Sequence, residues 1–252
     1  MNTAGQLAEA IEKVTSQGVG RGGGMSQAWA QVFGVDENTS EYFTCTSALY
    51  AQYERALLEI STCSASDRAK RLFTSAAHNL SRFVHPVSIH TVSMNQIDGH
   101  RNDIDTLFLA SEAIGPRLVP DLNEITLTEL AKEIVAMKAT IEKLNIDDRL
   151  KKIISDQLHL ILISINAYGA LGPEGAAKIY GGAVAELVRL SHQEAAKPEE
   201  KTAISKAIGV AKKVGAIVVW AAAVVSGASE LLEDGTQLLG MSGVEEEPSS
   251  DD

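Results

Sequence analysis

Apolar positions recur along most of this chain at the three-and-four spacing of a helix, and most legibly in its middle. Leu127, Leu130, Ile134, Met137, Ile141 and Leu144 form one stripe, preceded by Thr126 and Glu129 in capping-box register. Asp147 stands where it can cap a second helix, "DRLKKIISDQLHLILISINAYG". Only "NID" separates the two patterns, and so short a connection predicts an antiparallel helical hairpin over residues 126–168. Gly169 and Gly172 mark the end of that second helix. Pro173 then opens "PEGAAKIYGGAVAELVRLSHQE" in the first-turn position where proline is welcome. Pro198 opens a last helical region ending near Gly235.

The N-terminal half reads as helices separated by breaks. Thr3 caps a helix with Leu7, Ile11 and Val14 on one face, and "GVGRGGG" then forms a flexible connector. "AWAQVFGV" is a short apolar segment. Asn38, with Glu41 three residues on, predicts the start of a helix carrying Tyr42, Leu49, Tyr53 and Leu57. Ser66 caps the next, which Pro86 closes. Residues 84–105 are polar and mixed, open to a loop, a short strand or a poorly patterned helix, and "TLFLASEAI" is helical up to Gly115–Pro116. The expected fold is therefore all-α, a multi-helix bundle. It is organised as an N-terminal helix and Gly-rich linker (1–24), a helical module (25–118), a second helical module with an apolar C-terminal helix (119–240), and an acidic disordered tail (241–252).

Composition narrows the partners. Hydrophobic residues make up 45% of the 252 positions but aromatics only 5%, which suits helix packing better than a β-sandwich. A formal net charge of -11 repels phosphate backbones, so nucleic acid is a disfavoured partner. The small basic clusters Arg68, Lys70, Arg71 and Arg149, Lys151, Lys152 read as solvated helix faces. Cys45 and Cys63 are too few for a disulfide framework and lack zinc-site spacing. The N-terminus lacks a basic, apolar leader, which predicts a cytoplasmic protein, with membrane association through the C-terminal part as the alternative.

Catalytic chemistry is weakly written. The Gly-rich stretch follows a helix and lacks the Lys-Ser/Thr pair of a phosphate loop, and no nucleophile elbow occurs. His78, His85, His90 and His100 lie near Asp98, Asp103 and Asp105, but without the spacing of a known metal motif, so neither a metal nor a cofactor is expected. Arg71 and His78, spaced R-x6-H, return to one helix face. This pair resembles the Arg…His motif of HEPN-family ribonucleases. The resemblance implies phosphate-charge stabilisation by Arg71 and acid–base chemistry by His78. Leu72 stands where that family places a polar residue.

The C-terminal pattern is different. Val214–Ser229 contains no charged residue, and Glu230 follows it. As a helix its 16 residues span about 24 Å, against a bilayer core of about 30 Å. Its five valines and one isoleucine supply roughly -2 to -3.5 kcal/mol of insertion free energy. Extension through Glu230 would cancel most of this. Apolar residues surround the helix, so something must cover it: the chain's own core, a protein partner or second copy, or a bilayer. Val214, Ile217, Val218, Trp220, Val224 and Val225 are the candidate partner- or membrane-binding residues. The segment "DDRLKKIISDQLHLILISINAYGALGPEGAAKIYGG" and the Ala/Val-rich helix after it resemble uncharacterised bacterial helical proteins of accessory gene sets. That resemblance spans about the last half of the chain and implies a toxin or defence-effector role. The expected function is a non-enzymatic helical interaction protein acting through this helix on a partner protein, a homo-oligomer or a membrane, with a HEPN-like ribonuclease as the alternative.

Overall fold

Helices occupy almost every segment in which the apolar spacing predicts them, and a computed structural model describes how they meet. It covers residues 2–16, 23–116, 124–192 and 197–226, without the side chains of 124–126 and 219–226. The α-helices are α1 (Thr3–Ser16), α2 (Met25–Phe33), α3 (Ser40–Thr62), α4 (Asp67–Leu80), α5 (Arg101–Ile114), α6 (Glu124–Glu142), α7 (Asp148–Asn166), α8 (Tyr168–Ser191) and α9 (Pro198–Ser226). Among the described residues there is no β-strand; a single bridge joins Gly24 to Ser93. The fold is all-α. Most of the Gly-rich linker, the acidic tail and the Thr126 side chain lie outside the described residues.

Two apolar cores organise the bundle. The first gathers α1 to α5 around Trp29, whose indole N–H donates to the Phe83 carbonyl at 2.7 Å and whose ring stacks on Phe33. Leu7, Ile11 and Val14 are fully buried there, so α1 is part of this core. The second core is built by α6, α7, α8 and α9. Residues 143–147 turn α6 back onto α7, the antiparallel hairpin of the sequence reading. The junction of α7 and α8 serves both cores: Ile163, Ala167, Ala170, Leu171 and Ile179 pack into the first, while Ile161, Ile165, Ala176 and Tyr180 pack into the second. The Tyr180 hydroxyl donates to the Ala211 carbonyl at 2.9 Å and fixes α9 on α8.

Several helix ends differ from the sequence reading. Asn2, not Thr3, caps α1: its Oδ1 accepts the Gly5 N–H at 3.1 Å, while its amide donates to the carbonyls of Ser111 and Gly115 at the end of α5. Thr39, not Asn38, caps α3 by accepting from the Tyr42 N–H at 3.2 Å. Asn38 instead takes a left-handed φ of 62°, a conformation asparagine tolerates better than most residues. α4 ends at Leu80, six residues before Pro86. The ambiguous stretch is a succession of 3-10 turns, Ser81–Phe83, Ser88–Thr91 and Met94–His100, and α5 starts at Arg101 rather than at Thr106. Ile89, Val92, Met94 and Ile97 are buried at irregular spacing, which is why no period was visible there.

Candidate functional site

The residues singled out in the sequence fall in three separate places. Arg71 and His78 are both exposed on α4, two turns apart on one side of the helix. The histidines of residues 78–100 do not converge. His85 meets the Tyr50 ring edge-on at 4.8 Å between centroids, His90 lies against Tyr42 and Phe43, and His100 lies against Phe83. Asp103 bonds His100 Nδ1 at 2.8 Å and accepts from the Asn79 amide at 3.1 Å. Among the described residues no three His, Cys, Asp or Glu side chains are arranged to hold a metal ion.

On α9, Val214 and Val218 are fully buried in the second core, which also holds Ala211 and Leu187, and Ile217 is half-buried against it. The chain's own core is what covers these two valines. Lys213 pairs with Glu133 and ties α9 to α6. The side chains of Trp220, Val224 and Val225 lie outside the described residues. No helix among the described residues is long and apolar enough to cross a membrane.

Two clefts bring together residues that no linear pattern connects. One is shallow and lies where the α2–α3 connection meets α7. Ala30, Gly34, Thr39, Glu41 and His159 line it. Partial burial pushes the His159 pKa down, Lys138 pushes it the same way, and Glu41 and Asp156 oppose them. The Glu41 carboxyl is held below its ordinary range chiefly by a backbone hydrogen bond, with Ser40 and Thr39 adding to it. Sequence reasoning missed this pair because 118 positions separate Glu41 from His159 (159 minus 41).

The second cleft, of about 170 Å³, opens where α1, α3 and α8 converge. Thr3 and Gln6 come from α1, Ala48, Ala51 and Gln52 from α3, and Leu171 to Gly175 with Lys178 from α8. Two turns further along α3, Glu59 is buried at 4% exposure and receives both Thr3 donors, the N–H at 3.0 Å and the hydroxyl at 2.5 Å. That bond seats the start of α1 against α3. α8 is broken at Gly172, whose φ of 65° and ψ of 176° fall in a region essentially reserved for glycine. Pro173 after it excludes the α conformation at that position and restarts the helix. A Cβ at Gly172 would sit 2.6 Å from Gln6 Oε1 and 3.3 Å from Gln52 Nε2, so the glycine leaves room for two carboxamides over the break. Gln52 is 6% exposed, and neither its Oε1 nor its Nε2 has a hydrogen-bond partner. Glu174 Oε1 is likewise buried without one. The "GALGPEG" stretch was visible in the sequence only as a helix break, and its meeting with Gln6 and Gln52 had no signal there.

Compared with protein-family models, with curated proteins and with solved structures, the chain matches none.

Proposed function

We propose that this chain is a non-enzymatic helical interaction protein that engages a protein partner through the far end of α9, in a toxin or defence-effector setting. One observation carries the reading. α9 stays helical to Ser226, and its sequence from Val219 to Val225 carries no charged or hydroxyl-bearing side chain. A helix that is apolar on every side has to be covered. A lone membrane span is disfavoured by length, because the uncharged run Val214–Ser229 spans about 24 Å as a helix against a bilayer core of about 30 Å. Incorporating a photo-reactive p-benzoylphenylalanine at Val224 tests the proposal. Cross-links to another chain, whether a partner or a second copy, are the expected result. Cross-links confined to the protein's own helices would make this end of α9 core and sink the reading. Flotation with liposomes separates the membrane version, which requires the chain to rise with the vesicles.

A second reading has specific support in the exposure of Arg71 and His78 along one side of α4. It predicts RNA cleavage that disappears in both Arg71→Ala and His78→Ala. Cleavage that is absent from the parent protein, or unchanged in the variants, removes it.

A further inference from the structure

We infer that the cleft between α1, α3 and α8 binds a small molecule by a primary carboxamide or ureido group. A buried polar atom without a partner is a standing cost, and nearly all such atoms in folded proteins are satisfied by protein, water or ligand. Three lie on this one cleft: Gln52 Oε1, Gln52 Nε2 and Glu174 Oε1. Gln52 is more than nine-tenths buried, on a helix fixed by the first core, so its carboxamide has little freedom to turn outward.

The three unpartnered atoms specify the ligand's chemistry. Gln52 Nε2 is a donor and needs an acceptor; Gln52 Oε1 and Glu174 Oε1 are acceptors and need donors. A primary amide or urea-type group supplies one carbonyl oxygen and two N–H donors from adjacent atoms, the required set. A carboxylate would bring negative charge against Glu174. An ammonium or guanidinium group would leave Gln52 Nε2 without an acceptor. Size agrees: drug-sized molecules occupy pockets of about 300–1,000 Å³, and this cleft of about 170 Å³ admits only a small group or the end of a longer molecule. Gly172 leaves room for the Gln6 and Gln52 carboxamides at the cleft, because a methyl group there would press on Gln6 and approach Gln52.

The test uses the full-length, isotopically labelled protein with propionamide as probe and N,N-dimethylpropionamide as the control that lacks N–H donors. The Gln52 side-chain amide resonance, assigned by its disappearance in Gln52→Met, is followed during titration. Propionamide is expected to move it saturably and the dimethyl compound to leave it in place. Glu174→Leu should weaken propionamide at least tenfold. Gln52→Met should abolish the remaining shifts around the cleft while raising the melting temperature, since it replaces an unsatisfied amide with an apolar group of the same length. If Gln52→Met fails to fold, the shifts of the Gly172 and Gly175 backbone amides, read with both probes and in Glu174→Leu, still decide. No saturable shift up to the solubility of propionamide, equal response to both probes, or full affinity in Glu174→Leu would overturn the inference and leave a cleft filled by water only.

Discussion

Gly172 shows most directly how one residue sets a local structure. Its backbone lies where a side chain is strained, and its missing Cβ leaves space that Gln6 Oε1 would otherwise contest at 2.6 Å. Gly172→Ala is expected to lower stability by at least about 1–3 kcal/mol, read by urea unfolding. Gly209→Ala is the matched control. It lies within α9, nothing lies within 4 Å of its added Cβ, and helix propensity there should raise stability by roughly 0.5–1 kcal/mol. Asn2 carries a different kind of weight, because one side chain caps α1 and closes the end of α5. Asn2→Ala should cost about 1–3 kcal/mol, more than an isolated cap, since two α5 carbonyls lose their donors together. A loss no larger than a few tenths would show that α1 begins elsewhere in solution.

At the scale of the element, α9 is two helices in one. Its first six turns are held by Ala203, Ala207, Val210, Ala211, Val214 and Val218 in the second core, and its last two follow a sequence apolar all round. A charge is therefore expected to act differently along its length. Val218→Asp places a carboxylate where no water reaches, and should unfold or heavily destabilise the protein, by several kcal/mol. Val225→Asp should leave the melting temperature near that of the parent while reducing association, if the proposed partner covers that end. Circular dichroism melts together with sedimentation velocity distinguish the two. Equal collapse in both variants would place Val225 in the same core as Val218.

Over the whole molecule, the buried titratable groups determine how it responds to base. Burial pushes the Cys45 thiol up to about 12, with Glu41 adding to the shift, and also raises the hydroxyls of Tyr42, Tyr180 and Tyr53. A raised folded pKa favours the protonated form. Its stabilisation is complete below the unfolded pKa and is lost as pH rises toward the folded one. Stability should fall from near pH 9, at about 1.4 kcal/mol per pH unit for the thiol alone. The slope should steepen above the ordinary tyrosine range. In Cys45→Ala the part of the decline below pH 10 should flatten; an unchanged profile there would show that Cys45 ionises freely. Native Cys45 should also resist alkylation at pH 8 and react only after unfolding, a comparison that thiol counting makes directly.

Periodicity by itself determined the helical class, the α6–α7 hairpin, and the Ser66, Asp147 and Pro198 helix starts, because each depends on residues within a few positions of one another. It also determined that Val214 and Val218 cannot face water. Which surface covers them was a tertiary matter, since their neighbours come from the packing of α9 against α6, α7 and α8. The caps at Asn2 and Thr39 went to the residue beside the expected one, because Thr3 is taken by Glu59, 56 positions away, and Asn38 takes the left-handed turn. The cleft of Gln6, Gln52, Gly172 and Glu174 was illegible for the same reason. Its donors and acceptors stand on three helices, and neither periodicity nor motif spacing encodes a meeting between side chains so far apart in the chain.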